Sequence, residues 1–109
     1  MDFGKVEYIL SETRSSMGHP ALKLKLTLIG QGDYEALKSV GLAELRRRRI
    51  LRLLDEAMEQ GSLLGYSDLC ALLLSSLATV KRDIKLLEKR GYLLPLRGKR
   101  KNGKYGKAA

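Results

Sequence analysis

At 109 residues, with 44% hydrophobic and 30% charged residues, the chain is long enough for one modest core, as one small domain or one domain with an arm. No run approaches the ~18 apolar residues of a membrane span, the start MDFGKVEYIL lacks the basic, apolar, small order of a signal peptide, and the single Cys70 cannot form an internal disulfide, so a cytoplasmic protein is expected. The net charge of +9 is unevenly placed: residues 1–75 carry ten Lys/Arg and ten Asp/Glu, whereas residues 76–109 carry eleven Lys/Arg against Asp83 and Glu88.

KVEYIL at 5–10 reads as a short strand. LKLKLTLI at 22–29 alternates with the period of a half-buried strand, with Leu22, Leu24, Leu26 and Leu28 facing one way and Lys23, Lys25 and Thr27 the other. SSMGHP between the two reads as a loop, and GQGD punctuates the second strand. Asp33 is placed to cap a short helix running to about Val40 and ended by Gly41. In LAELRRRRILRLLDEAMEQ, at 42–60, apolar residues from Leu42 to Met58 recur at three- and four-residue steps, which predicts the longest helix, stopped by Gly61. A second helix is expected over 67–74, with Ser67 as its N-cap and Asp68 in its first turn. A third is expected from the Ser76 cap to Gly91. YLLPL at 92–96 then reads as a strand, marked as an edge by Pro95. Asn102-Gly103 is a turn signal weakened by its lysine-rich flanks.

On a helical wheel at roughly 100° per residue, Leu77, Val80, Ile84 and Leu87 of the third helix gather on one side. Ala78, Arg82, Lys85 and Lys89 gather on the other, with Lys81 at the border. A helix with an apolar back and a cationic front suits the major groove of duplex DNA, where cations meet phosphates and guanine edges. With the short apolar helix before it and a tight turn at Ser75-Ser76, it makes a helix-turn-helix pattern. Residues at the start of the second helix of such a pair face base edges. Here those are Ala78, suited to a thymine methyl, Thr79, and Arg82, able to bond guanine or phosphate bidentately.

The run SDLCALLLSSLATVKRDIKLLEKRGYL resembles the helix-turn-helix of winged-helix transcription regulators of the DeoR type. Their recognition-helix run, Ser-x-x-Thr-[Val/Ile]-x-Arg-Asp-[Ile/Leu], is matched by Ser76, Thr79, Val80, Arg82, Asp83 and Ile84. The longer stretch over 42–98 is also similar to an uncharacterised prokaryotic family with an RL..EA..QG helix, this helix-turn-helix and a Pro-x-Arg-Gly ending. The turn LLSS departs from the glycine common at such turns. Chains of that family continue past Pro-x-Arg-Gly, whereas eleven mostly basic or small residues follow it here, as in a truncated member or one whose wing is a basic tail. The resemblance implies DNA binding, with Arg82 facing the duplex and Asp83 turned back toward the body, where it is expected to pair with an arginine of the 46–52 cluster.

The expected fold is mainly α: a three-helix winged helix-turn-helix at 42–98, preceded by a small α+β arm at 1–41 and followed by a basic tail at 99–109. The expected function is sequence-specific duplex DNA binding in transcription control. The expected contacts are Ser76, Ala78, Thr79, Lys81, Arg82, Lys85 and Lys89 on the helix, with Arg97, Lys99, Arg100, Lys101 and Lys104 clamping phosphates. A homodimer is expected, since such domains commonly pair on two half-sites and the 22–29 strand offers an edge.

The competing readings are a solvated helix face with a disordered tail, an RNA- or ribosome-associated binder, and a winged-helix docking module. Six Tyr/Phe and no Trp give the RNA reading little support. Lone His19 and lone Cys70 offer no metal set, the glycines make no phosphate loop, and no nucleophile–base pair stands out, so neither an enzyme nor a cofactor is expected.

Overall fold

The computed structural model describes residues 4–10 and 23–98. They form a two-stranded sheet and four helices, a mainly α architecture: β1 (Lys5–Ile9), β2 (Lys23–Thr27), α1 (Asp33–Val40), α2 (Leu42–Glu59), α3 (Tyr66–Leu73) and α4 (Leu77–Lys89). The expected 15–20 loop with His19, Leu22 of the expected second strand, and the Asn102-Gly103 turn lie outside the described residues. Among the described residues, no helix is long and apolar enough to cross a membrane.

β1 and β2 pair antiparallel, with Lys5 opposite Thr27 and Ile9 opposite Lys23. The alternation of β2 has the expected sense over 23–26, where Leu24 and Leu26 are fully buried and Lys23 and Lys25 are exposed, but Thr27, expected on the exposed side, is buried. These two leucines join Ile50, Leu53, Leu54 and Ala57 of α2, Leu69 and Leu72 of α3, and Val80, Ile84 and Leu87 of α4 in one core. The expected arm and the expected helical unit therefore share their apolar interior.

The outer edge of β2, expected to be open, is occupied by α2. The Gln60 side chain accepts from the Lys25 N–H at 2.8 Å and donates to the Lys25 carbonyl at 2.7 Å. The Glu56 carboxylate accepts from the Thr27 N–H at 2.7 Å and from the Thr27 hydroxyl at 2.6 Å. Arg49 donates to the Leu28 carbonyl at 3.1 Å, and Arg52 reaches the carbonyls of Thr27 and Leu28 at 3.4 Å while gripping Asp33 with both terminal nitrogens. Arg52, Glu56 and Gln60 stand four residues apart, so they form one stripe along the helix. A strand edge saturated in this way offers no ladder for a second copy.

The helix ends follow their sequence signals, with three adjustments, the first at α1, where Gly32 takes the N-cap position and Asp33 is the first helical residue. After α2 and α4, Gly61 and Gly91 adopt positive φ, and the N–H groups of Ser62 and Tyr92 donate to the carbonyls of Ala57 and Leu87, as in a Schellman motif. At the turn after α3 the same pattern closes with Ser75 donating to Cys70, but Leu74 takes the left-handed position at φ 53°. The glycine missing from this turn is thus replaced by a leucine in the conformation a glycine usually adopts. The third adjustment is at the start of α3. Its N-cap is Gly65, not Ser67, because the Asp68 carboxylate reaches back to the Gly65 N–H at 2.8 Å.

The strand expected over 92–96 does not form. Tyr92 to Pro95 run without ladder partners among the described residues, and only Leu96 makes a bridge, parallel to Leu64. Pro95 lacks an N–H, and the Leu96 N–H folds back onto the Leu94 carbonyl at 3.0 Å, so the segment turns rather than extends.

Candidate nucleic-acid interface

α4 is built as an amphipathic helix on a capped start. The Ser76 Oγ accepts from the Thr79 N–H at 3.2 Å and donates to the Thr79 Oγ1 at 3.0 Å. Both hydroxyls are therefore engaged in starting the helix, the role expected of Ser76. Val80, Asp83, Ile84 and Leu87 are buried, whereas Ala78, Lys81, Arg82, Lys85 and Lys89 are exposed on the opposite side. Among the described residues, none of these four cations forms an ion pair. Lys81 instead lies over the ring of Tyr66, 5.9 Å from its centroid, at the junction of two clefts. One cleft runs toward Arg82 and Lys85. The other runs toward Gly65, Leu77, Arg97 and Gly98.

Asp83 turns inward, as expected, and takes two arginines. Arg46 engages both carboxylate oxygens, and Arg47 Nε donates to Oδ1 at 3.0 Å. Asp83 holds the Arg46 guanidinium in its charged form, raising an already high pKa against the opposing effect of burial. One turn away on α2, Glu44 accepts from Arg47 and from both terminal nitrogens of Arg90. The Arg90 bonds are the main reason the Glu44 carboxyl falls from its ordinary 4.5 to about 2. Arg90, which the sequence places with the cationic residues of the helix, is thus tied to α2. Of the cluster Arg46 to Arg49, three side chains have internal partners and Arg48 is exposed.

Arg97 occupies a different place from the one expected. Its Nη2 donates to the fully buried Asp68 carboxylate at 2.8 Å, and its Nη1 donates to the Leu63 carbonyl at 2.8 Å. Asp68 also accepts from the Tyr8 hydroxyl at 2.7 Å. The guanidinium points into the protein because a buried carboxylate requires a cationic or hydrogen-bonding partner. Lys99, Arg100, Lys101 and Lys104, the other expected phosphate clamps, lie outside the described residues. The contact of Tyr66 with Lys81 has no signal in the sequence, because the two residues come from different helices. Among the described residues, no group of three or more His, Cys, Asp or Glu is placed to hold a metal.

Residues 5–106 match a family described as a protein of unknown function, DUF1670. The chain belongs to DUF1670. The match takes in both strands, all four helices and the cationic helix face, so in DUF1670 the strand pair and the helices form one family unit. No curated protein matches the chain, and no solved structure matches it.

Proposed function

We propose that this DUF1670 chain binds duplex DNA sequence-specifically, in transcription control, with α4 in the major groove. In this reading α2, α3 and α4 form a winged helix-turn-helix. The Leu64–Leu96 bridge, which brings the segment after α4 beside the α2–α3 connection, marks the start of the wing. The observation that carries the reading is the division of α4. Of its two acidic residues, Asp83 is turned inward and paired with Arg46 and Arg47, and Glu88 is half-buried in the cleft beside Lys85, while Lys81, Arg82, Lys85 and Lys89 stand exposed with no ion pair among the described residues. Such a face gains little from the protein itself and much from a polyanion. Arg82 and Lys85 contact guanine edges or phosphates, Ala78 packs on a thymine methyl, and Lys89 meets the backbone.

The test is affinity for selected and random duplexes across a salt series. Steep salt dependence with a preference for selected sites supports the reading, and equal affinity for both pools at every salt concentration rejects sequence specificity. A docking module is the second reading, favoured by the exposed Leu74 and Leu77 at the α3–α4 turn. It predicts a protein partner whose binding survives high salt.

A further inference from the structure

The seal on β2 leaves a second copy of the chain no strand edge to pair with there, so self-association has to use another surface. The outer face of α2 is built for it. Arg48, Leu51, Asp55 and Met58 recur at steps of three and four, which sets them in one stripe, on a different face from the core residues Ile50, Leu53, Leu54 and Ala57. Arg48, Asp55 and Met58 are exposed and Leu51 is half-buried. Beside the stripe, the 92–95 segment encloses a groove of about 400 Å³ against Leu51, Arg52, Leu54, Asp55 and Met58. Leu93 is 96% exposed, and Met58 and Tyr92 are exposed beside it. Three large apolar side chains thus stand together in solvent, which marks a contact surface more than a scattered leucine does.

The charges on the stripe identify the occupant. Among the described residues, the side chains of Arg48 and Asp55 have neither an ion pair nor a hydrogen bond. They stand about 10 Å apart along the helix axis, equally far on either side of the midpoint between Leu51 and Arg52. A two-fold axis through that midpoint, with α2 antiparallel to its copy, sets Arg48 against Asp55 of the partner subunit, and does so twice. The same register brings Glu59 to the Glu44–Arg90 ion pair of the other copy and lays the 45–52 turns of each copy along the groove of the other. We propose that the chain forms an isologous homodimer through the outer face of α2 and the 92–95 segment, its register fixed by two reciprocal Arg48–Asp55 ion pairs. The inference does not rest on the DNA-binding reading.

The test is the dimer dissociation constant of the full chain, by sedimentation equilibrium without nucleic acid, in native protein, Arg48→Asp, Asp55→Arg and the double swap R48D/D55R. Each single reversal sets like charges against each other twice and is expected to weaken the dimer about tenfold or more, whereas the double swap restores opposite charges and is expected to return the constant to within about threefold of native. Arg48 and Asp55 are two turns apart on their own helix, so this rescue is a signature of contact between copies. A native chain that is monomeric at every concentration overturns the proposal, and leaves the groove to another segment of the chain or to a different partner. Single reversals with the native constant, or a double swap as weak as the singles, also overturn it. Leu93→Ser reverses no charge and lies outside the helices, so it gives a second measure should a reversal disturb the fold. It is expected to weaken the dimer severalfold, and an unchanged constant overturns the proposal.

Discussion

Leu74 is, among the described residues, the one side chain other than glycine at positive φ, and it is 92% exposed. An L-residue in the left-handed region costs about 1–2 kcal/mol, and the near-complete exposure means little packing is lost by truncation. Leu74→Gly is therefore expected to raise stability by up to ~1 kcal/mol after the entropy glycine adds to the unfolded chain. Denaturant unfolding with an unchanged m-value checks it, and a destabilised variant contradicts the strain argument. Asp83 is the opposite case. Removing a fully buried carboxylate strands Arg46 and Arg47, and Asp83→Ala is expected to cost ~3 kcal/mol. Its DNA affinity, corrected for the folded fraction, should fall much less. A larger loss of affinity than of stability would place Asp83 in the interface instead.

At the scale of elements, the seal on β2 makes a specific prediction. Glu56 satisfies both the backbone N–H and the hydroxyl of Thr27, so Glu56→Ala leaves a strand amide without its partner and should cost ~2 kcal/mol. Hydrogen exchange at the Thr27 amide should speed up more than at Leu26, whose N–H faces β1. Uniform acceleration across both would show that the edge seal is not a local device. The helices were legible in the sequence because apolar residues recur along them at helical spacing and glycines stand at 61 and 91. Asp83's inward turn was legible from its position on the wheel and the resemblance. The seal was not legible, because Arg52, Glu56 and Gln60 read as an ordinary polar helix face until β2 is placed against them. Nor was the Tyr8–Asp68–Arg97 chain, whose members lie 60 and 29 residues apart in sequence with no shared periodicity. YLLPL was misread as a strand because an apolar run carries no information on whether its amides find partners.

Among the ion pairs that tie distant parts of the chain, Glu44 joins the start of α2 to the end of α4, and Asp33 joins α1 to α2 through Arg52. Hydrogen bonding to Arg52 lowers the Asp33 pKa from 3.8, against the effect of burial. Glu44 is lowered to about 2 from 4.5. Both carboxyls are lower in the folded state, so their contribution is complete above the ordinary carboxylate range and is lost as pH falls through the folded values. Melting temperature is expected to hold from neutral pH to about 5 and to drop below it. Glu44→Gln should flatten the part of that drop between pH 4.5 and about 2, and an unchanged acid limb would contradict the link.

The proposed function rests on the exposed cations of α4 reading duplex DNA. Affinity for a duplex pool against salt, in native protein and in Arg82→Ala/Lys85→Ala, tests it most directly. The expected result in the native protein is a steep fall with salt, by about 0.9 log units per log unit of salt for each phosphate neutralised. The double variant is expected to show a strong loss of affinity and a shallower slope. An unchanged affinity in the double variant, with binding abolished only when the residues after Gly98 are neutralised, would make α4 a scaffold and contradict it.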